Sequence, residues 1–197
     1  VGIIILWTGL TGDRLNHHGP QYDYSDIPMV LRPVQKPMPP VWYGVGGPDG
    51  QDFAARTGMN MVILGPTSRI RDVAVGCRSK WNEYRDHPDR LPGSPKEPVI
   101  AATRNIVVAD TDGEAEGIAR PAYAHWYGSL AKLWIDHGDT PSAAIISDYD
   151  VARECGMMVV GSPDTVRAEL ASQVEECDIN RIIAQMAFGD MSHADEM

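Results

Sequence analysis

The chain repeats one local unit: an apolar run stops at a turn rich in glycine, proline or acids, and residues at helical spacing follow. Val41 to Val45 stops at Gly46-Gly47-Pro48-Asp49-Gly50, after which Phe53, Ala54, Ala55 and Thr57 open a helical pattern. Met59 to Leu64 stops at Gly65-Pro66-Thr67-Ser68, ahead of Ile70, Val73, Ala74, Cys77 and Trp81. Val99 to Ala109 stops at Asp110-Thr111-Asp112, where Thr111 with Glu114 has the form of a capping box. Ile118, Ala122, Trp126, Leu130 and Trp134 then recur every four residues. Ser162-Pro163-Asp164 is a helix start ahead of Val166, Leu170 and Val174, and Arg181 to Phe188 is a fourth strand candidate closing at Gly189-Asp190. Strands joined by helix-length crossovers run parallel, so the pattern predicts an α/β fold with helices against a parallel sheet, either open or closed into a barrel.

The flanks differ. Val1 to Thr8 is apolar from its first residue and reads as a buried strand or as the last turns of a helix, since periodicity cannot decide over so few positions. Asn16 to Tyr24, with Gly19-Pro20 at its centre, reads as a small hairpin, and the five prolines from Pro28 to Pro40 as an extended connector. A length of 197 residues fits one domain and falls short of the ~250 of a complete eight-stranded α/β barrel. Seventeen basic against 27 acidic residues leave a net charge of −10, which argues against nucleic acid and anionic membrane as partners. Cys77, Cys155 and Cys177 lie far apart with no C-x-x-C pair, which suggests neither a disulfide framework nor a zinc site and fits a reducing cytoplasm. No stretch is apolar for long enough to span a bilayer.

Parallel α/β sheets bind ligands at the carboxyl ends of their strands, which makes the turns there the candidate sites. Gly44-Val45-Gly46-Gly47-Pro48-Asp49 has the best physical case, because glycines let backbone N–H groups approach a phosphate at the start of a helix, although the spacing is not G-x-G-x-x-G. Gly161-Ser162-Pro163 is explained fully by capping, and Asp110-Thr111-Asp112 by helix-start acids, with no metal expected. His17 and His18 read as surface residues, and His125 as packed among Tyr123, Trp126 and Tyr127. Cys155 and Cys177 fall near helix C-termini, where the dipole raises a thiol pKa, so neither reads as a nucleophile.

Four segments, in order, carry a family resemblance. His18-Gly19-Pro20-Gln21-Tyr22 with Arg32-Pro33-Val34-Gln35-Lys36-Pro37-Met38-Pro39-Pro40-Val41-Trp42 resembles the connector before the fifth strand of bacterial luciferase-like monooxygenases. Val108-Ala109-Asp110-Thr111-Asp112-Gly113-Glu114-Ala115 resembles that family's seventh strand and following helix start, and Val160-Gly161-Ser162-Pro163-Asp164-Thr165-Val166 its late G-[ST]-P helix start. Phe188-Gly189-Asp190-Met191 resembles the end of its eighth strand.

The resemblance implies the C-terminal part of a flavin-binding (β/α)8 TIM barrel, an incomplete barrel in which residues 1–197 form a single partial domain from the end of helix 4 through strand 8. Val1 to Leu10 is then helix. It implies an oxidoreductase that uses reduced FMN, supplied by a flavin reductase, and O2 to oxidise a small organic substrate, with an F420-dependent oxidoreductase or a non-catalytic flavin-binding relative as alternatives. It assigns Gly46, Gly47 and Asp49 to the cofactor's phosphate, and leaves the other strand-end turns to shape the substrate cavity. The family's catalytic histidine and much of its flavin ring pocket belong to strands not represented here, so no catalytic residue is assigned. A chain of this kind is expected to be cytoplasmic and homo-oligomeric. An incomplete gene, a chain that pairs with another copy or partner, or a piece of a longer protein would each explain the missing strands, the first being preferred.

Overall fold

The computed structural model describes residues 2–36, 38–142 and 145–196. Helix α1 (Gly2–Thr11) leads into a hairpin of β1 (Arg14–His18) and β2 (Asp23–Pro28), and an extended connector follows. The repeated unit then appears as β3 (Trp42–Gly44), α2 (Pro48–Thr57), β4 (Asn60–Ile63), α3 (Thr67–Glu83), β5 (Ile100–Val108) and α4 (Asp112–Asp136). Helix α5 (Tyr149–Glu154), β6 (Met158–Gly161), α6 (Pro163–Cys177), β7 (Arg181–Gln185) and α7 (His193–Glu196) complete the described chain. The expected helix near the start, the hairpin and the four predicted strands are all present. The strand β6 is a fifth, which the sequence pattern did not announce. Among the described residues no helix is long and apolar enough to cross a membrane.

Every pairing in the five-stranded sheet is parallel, with β3, β4, β5 and β6 in order and β7 also against β5. Met61 N–H donates to Val99 O and Asn105 N–H to Met157 O, so the odd residues of β5 turn to the edge shared end to end by β4 and β6. Asn180 N–H donates to Ile100 O, which puts β7 on the opposite edge. Long β5 is thus the common axis of the sheet.

Helices α2, α3 and α6 cover one face of the sheet, and α4 covers the other face at its β6 end. Ile70, Ala74, Cys77 and Trp81 of α3, the stripe expected from their spacing, are fully buried against Ile63, Ile100 and Ala102. Burial pushes the Cys77 thiol up to about 11. Ile106 and Val159 pack against Val166 of α6. The stripe expected on α4 holds only in its first half. Ala115, Ala119, Ala122 and Tyr123 are buried against Val107, Met158 and Val160, whereas Leu130 and Trp134 stay well exposed. A four-residue repeat gains about 40° per step on a 3.6-residue helix, so a stripe that starts on the core face rotates off it. His125, expected among the aromatics, is likewise turned outward, 3.6 Å from Asp190.

Two arginines hold the layers together. Arg104, 1% exposed on β5, donates from Nε to Gln173 Oε1 at 2.5 Å, from Nη1 to Gly65 O and Thr103 O, and from Nη2 to Thr67 Oγ1. Among the described residues no carboxylate pairs with it, and burial lowers its pKa. Arg153 of α5 donates to Met158 O at 2.8 Å and Val160 O at 3.1 Å while pairing with Glu116 and Glu169. Those carbonyls point away from β5, so the guanidinium occupies the place of a neighbouring strand and closes the outer edge of β6. Replacing Arg104 with Met should lower unfolding stability by about 3 kcal/mol, because Gln173 and two carbonyls lose their donors, and Arg104→Lys should recover less than half of it. Urea denaturation of both variants measures this, and a loss below about 1 kcal/mol for the Met variant would contradict it.

Candidate functional site

The carboxyl ends of the strands form a rim on which two helix N-termini behave oppositely. At the start of α6 the Ser162 hydroxyl caps Thr165 N–H as its sequence predicts, and the Asp112 carboxylate takes Ser162 N–H at 2.6 Å and Thr165 Oγ1–H at 3.2 Å. That terminus already holds an anion from the protein itself. The Ser162 N–H, followed by the Thr165 and Ser162 hydroxyls, holds the Asp112 carboxyl below its ordinary pKa. Thr111 and Glu114 complete the capping box that starts α4 from the same turn.

The start of α2 is different. Its N-cap is Gly47, in extended backbone with no side-chain cap, followed by Pro48 at the first helical position. A side chain added at Gly44, Gly46 or Gly47 would meet nothing within 4 Å, so packing in the described structure demands none of these glycines. Arg69, in the first turn of α3, reaches across to donate to Gly46 O at 2.7 Å and places a guanidinium beside this corner. An uncapped helix start, open backbone and one adjacent cation fit an anionic phosphate.

Of the sequence-predicted residues, Gly46 and Gly47 lie together at this corner. Asp49, in the first turn of α2, lines a groove between α2 and α3 that it shares with Asp52, Arg56 and Lys80. There Tyr84 Oη–H, ahead of Lys80, lowers the Asp52 pKa. Sequence reasoning missed Arg69, for which 23 positions of separation from Gly46 gave no signal, and the His125–Asp190 pair at the end of β7. Elsewhere the aromatic group on α4 is structural. Tyr123 donates to Ile146 O at 2.5 Å and packs on Trp126 and Tyr149, and burial pushes its hydroxyl up to about 12. His17 and His18 lie in β1, where His18 pairs with Asp23. Cys155 caps α5 and Cys177 ends α6, with burial raising the Cys177 thiol. Among the described residues no group of His, Cys, Asp and Glu could hold a metal.

The rim looks across the sheet face opposite α3. Register places Gly44, Val62, Ala101 and Arg181 on that face, and with them Trp42, Asn60, Leu64, Thr103, Asn105, Ile183 and Gln185. Val107, Met158 and Val160 share that face and are covered by α4, whereas Trp42, Leu64 and Ile183 are left exposed. A parallel sheet flanked by crossover helices, with its ligand-ready turns at the carboxyl rim and no closure, is an incomplete (β/α)8 barrel. The sequence model of the luciferase-like monooxygenase family matches residues 3–180, and the chain belongs to that family. It is 29% identical over 187 residues to the uncharacterized protein y4wF of Sinorhizobium fredii, covering 95% of this chain and 53% of that one. It therefore spans about half the length of that relative. Among solved structures, monooxygenase RslO1 from Streptomyces bottropensis superposes with a TM-score of 0.73 at 18% identity, over 99% of this chain and 55% of that one. The oxygenating constituent of 3,6-diketocamphane monooxygenase from Pseudomonas putida, solved with FMN, gives 0.64 at 16% identity, over 95% and 55%.

The Asp112 clamp carries a pH dependence. Its folded-state pKa lies below the ordinary 3.8, so its contribution to stability is full above that value and is lost as pH falls through the folded pKa. The stability gap between the wild type and Asp112→Asn should therefore be constant near neutrality and shrink from about pH 4 downward. Denaturation midpoints across that range measure it, and a gap that stays constant in acid would contradict it.

Proposed function

We propose that this chain is the carboxyl-terminal half of a flavin-dependent monooxygenase, residues 1–197 forming one partial domain from the end of the fourth barrel helix through the eighth strand. Reduced FMN, delivered by a separate flavin reductase, supplies the chemistry: activation of O2 and oxidation of a small organic substrate. The chain's own part is to bind and orient. Gly46 and Gly47 offer backbone N–H groups to the cofactor phosphate, Arg69 neutralises its charge, and Asp49 contributes from the first turn of α2. The exposed part of the inner face, with Trp42, Leu64 and Ile183, supplies part of an apolar wall that excludes water from the reacting centre. The protein works in the cytoplasm as a homo-oligomer.

The observation that carries this reading is the uncapped glycine corner beside Arg69, on the carboxyl rim of a chain of this family. An F420-dependent oxidoreductase is the second reading, since the F420-dependent tetrahydromethanopterin reductase of Methanopyrus kandleri shares the fold with a TM-score of 0.61 at 15% identity over 92% of this chain. Both cofactors carry a phosphate for which such a corner is suited. Oxygen consumption with reduced FMN and substrate separates the two, and flavin binding without turnover marks a non-catalytic relative.

Because a side chain at position 47 meets open space, Gly47→Val should leave the circular dichroism and thermal midpoint unchanged while weakening FMN binding by about tenfold or more, as should Arg69→Ala. Quenching of flavin fluorescence measures the affinity. Wild-type protein that binds neither flavin, or variants that bind as well as the wild type, would overturn the assignment.

A further inference from the structure

Helix α3 starts without a cap of its own. Its N-cap is Pro66, with no side-chain hydrogen bond, and no acid stands in its first turn. Its first residue is instead gripped from outside at all three of its polar groups. Thr67 N–H donates to Cys155 O at 2.9 Å at the end of α5, Thr67 O accepts from Cys177 Sγ at 3.5 Å at the end of α6, and Thr67 Oγ1 accepts from Arg104 Nη2 at 3.3 Å on β5. Arg104 also donates to Gly65 O at 3.2 Å, just ahead of the helix.

The fit around Thr67 is close. Gly156, next after Cys155, has a φ of +77°, and a Cβ there would collide with Thr67 Oγ1 and Gln173 Nε2. Gln173 donates from Nε2 to Gly156 O at 3.2 Å and accepts at Oε1 from Arg104. The turn, the amide and the guanidinium form one clasp on one residue.

Arg69, two residues along, has no comparable fixing. It is half-buried, no carboxylate among the described residues pairs with it, and a hydrogen bond to Gly46 O ties it to the glycine corner. Arg71, by contrast, pairs with Asp72 and Glu176. Two helical residues span about 3 Å of stiff backbone, so the place of the Arg69 side chain is inherited from the clasp on Thr67.

We infer that Thr67 is a positioning residue for the cofactor phosphate, a role that rests on the assignment of the glycine corner to that phosphate. The clasp fixes the first turn of α3 so that the Arg69 guanidinium already stands at Gly46 and Gly47 before an anion arrives. A cation held in place binds more tightly than one that must be ordered on binding. The end of α5 thereby bears on the cofactor corner without touching it. Because the clasp acts through a cation, its effect belongs to the phosphate and not to the flavin ring.

Comparing FMN with riboflavin, which has no phosphate, by quenching of flavin fluorescence isolates that effect. Thr67→Val keeps the shape of the side chain and removes the acceptor for Arg104. It should lower the preference for FMN over riboflavin by about fivefold or more, Thr67→Ser should restore most of it, and Thr67→Val should add no further loss to Arg69→Ala. Gly156→Ala, which wedges the clasp from the other side, should act in the same direction. Val166→Ala loosens the packing of α6 on Ile106 and Val159 and should leave the preference as it is. The guanidinium NMR signals of Arg69, assigned with Arg69→Lys, read the Gly46 contact without any flavin and should shift in Thr67→Val and not in Val166→Ala. A wild type without a preference for FMN overturns the cofactor assignment and the role of Thr67 with it. A wild type that has the preference, with Thr67→Val matching it, overturns the role of Thr67 alone. So do additive losses in the double variant, equal weakening of FMN and riboflavin, or unshifted Arg69 signals in Thr67→Val.

Discussion

Burying a cation without a carboxylate paired directly to it is costly in a protein interior, and this fold is arranged around one. Arg104 sits at the middle of β5, the strand that touches every other barrel strand except β3. Among the described residues its guanidinium donates only to neutral acceptors, the Gln173 side chain from α6, two carbonyls and the Thr67 hydroxyl at the start of α3, with the Glu169 carboxylate one hydrogen bond further out through Gln173. Gln173 in turn donates to Gly156 O, at a glycine in the left-handed region where a side chain would collide with Thr67. Four segments distant in sequence are thereby held to one atom group. The directionality of those bonds sets how α3 and α6 sit against the sheet, and with them the first turn of α3 from which Arg69 reaches the rim.

The contrast between the two rim helices shows how a fold reserves one anion site. Both α2 and α6 begin with proline at the first helical position after a strand-end glycine turn, and from local sequence either might attract a phosphate. Asp112 decides the matter by placing a carboxylate on the second, fifty residues away along the chain. The first is left with backbone N–H groups and a neighbouring guanidinium. Tertiary contacts, and not the turn motifs themselves, separate the two.

Much of the architecture could be read from the residues because local and global signals agree. The α3 stripe, the Thr111–Glu114 box and the Ser162 cap are all local, and each appears as its spacing implied. What escaped reading depends on distant partners. Strand β6 is four residues long, lies just beyond Gly156, and is stabilised by Arg153 and by β5 about fifty residues upstream. The second half of α4 departs from the expected stripe because a four-residue repeat rotates off the buried face, which leaves Leu130 and Trp134 partly exposed while Ala131 is buried. Arg104 did leave a trace, as a lone charge among Ile100, Ala102 and Ile106 on the alternation of a buried strand. The corner glycines were legible as a turn, whereas the cation beside them was not, since Arg69 belongs to another helix.

The guanidinium that stands in for a strand beside β6 has a developmental corollary for the sheet. A strand edge sealed by a side chain cannot be extended by recruitment, so the long excursion through α4 and α5 is insulated from the ladder it interrupts. Insertions there can grow or shrink without shifting the register of β4, β5 and β7. Chemical diversity near the rim can then accumulate in that excursion while the scaffold beneath it keeps its alignment.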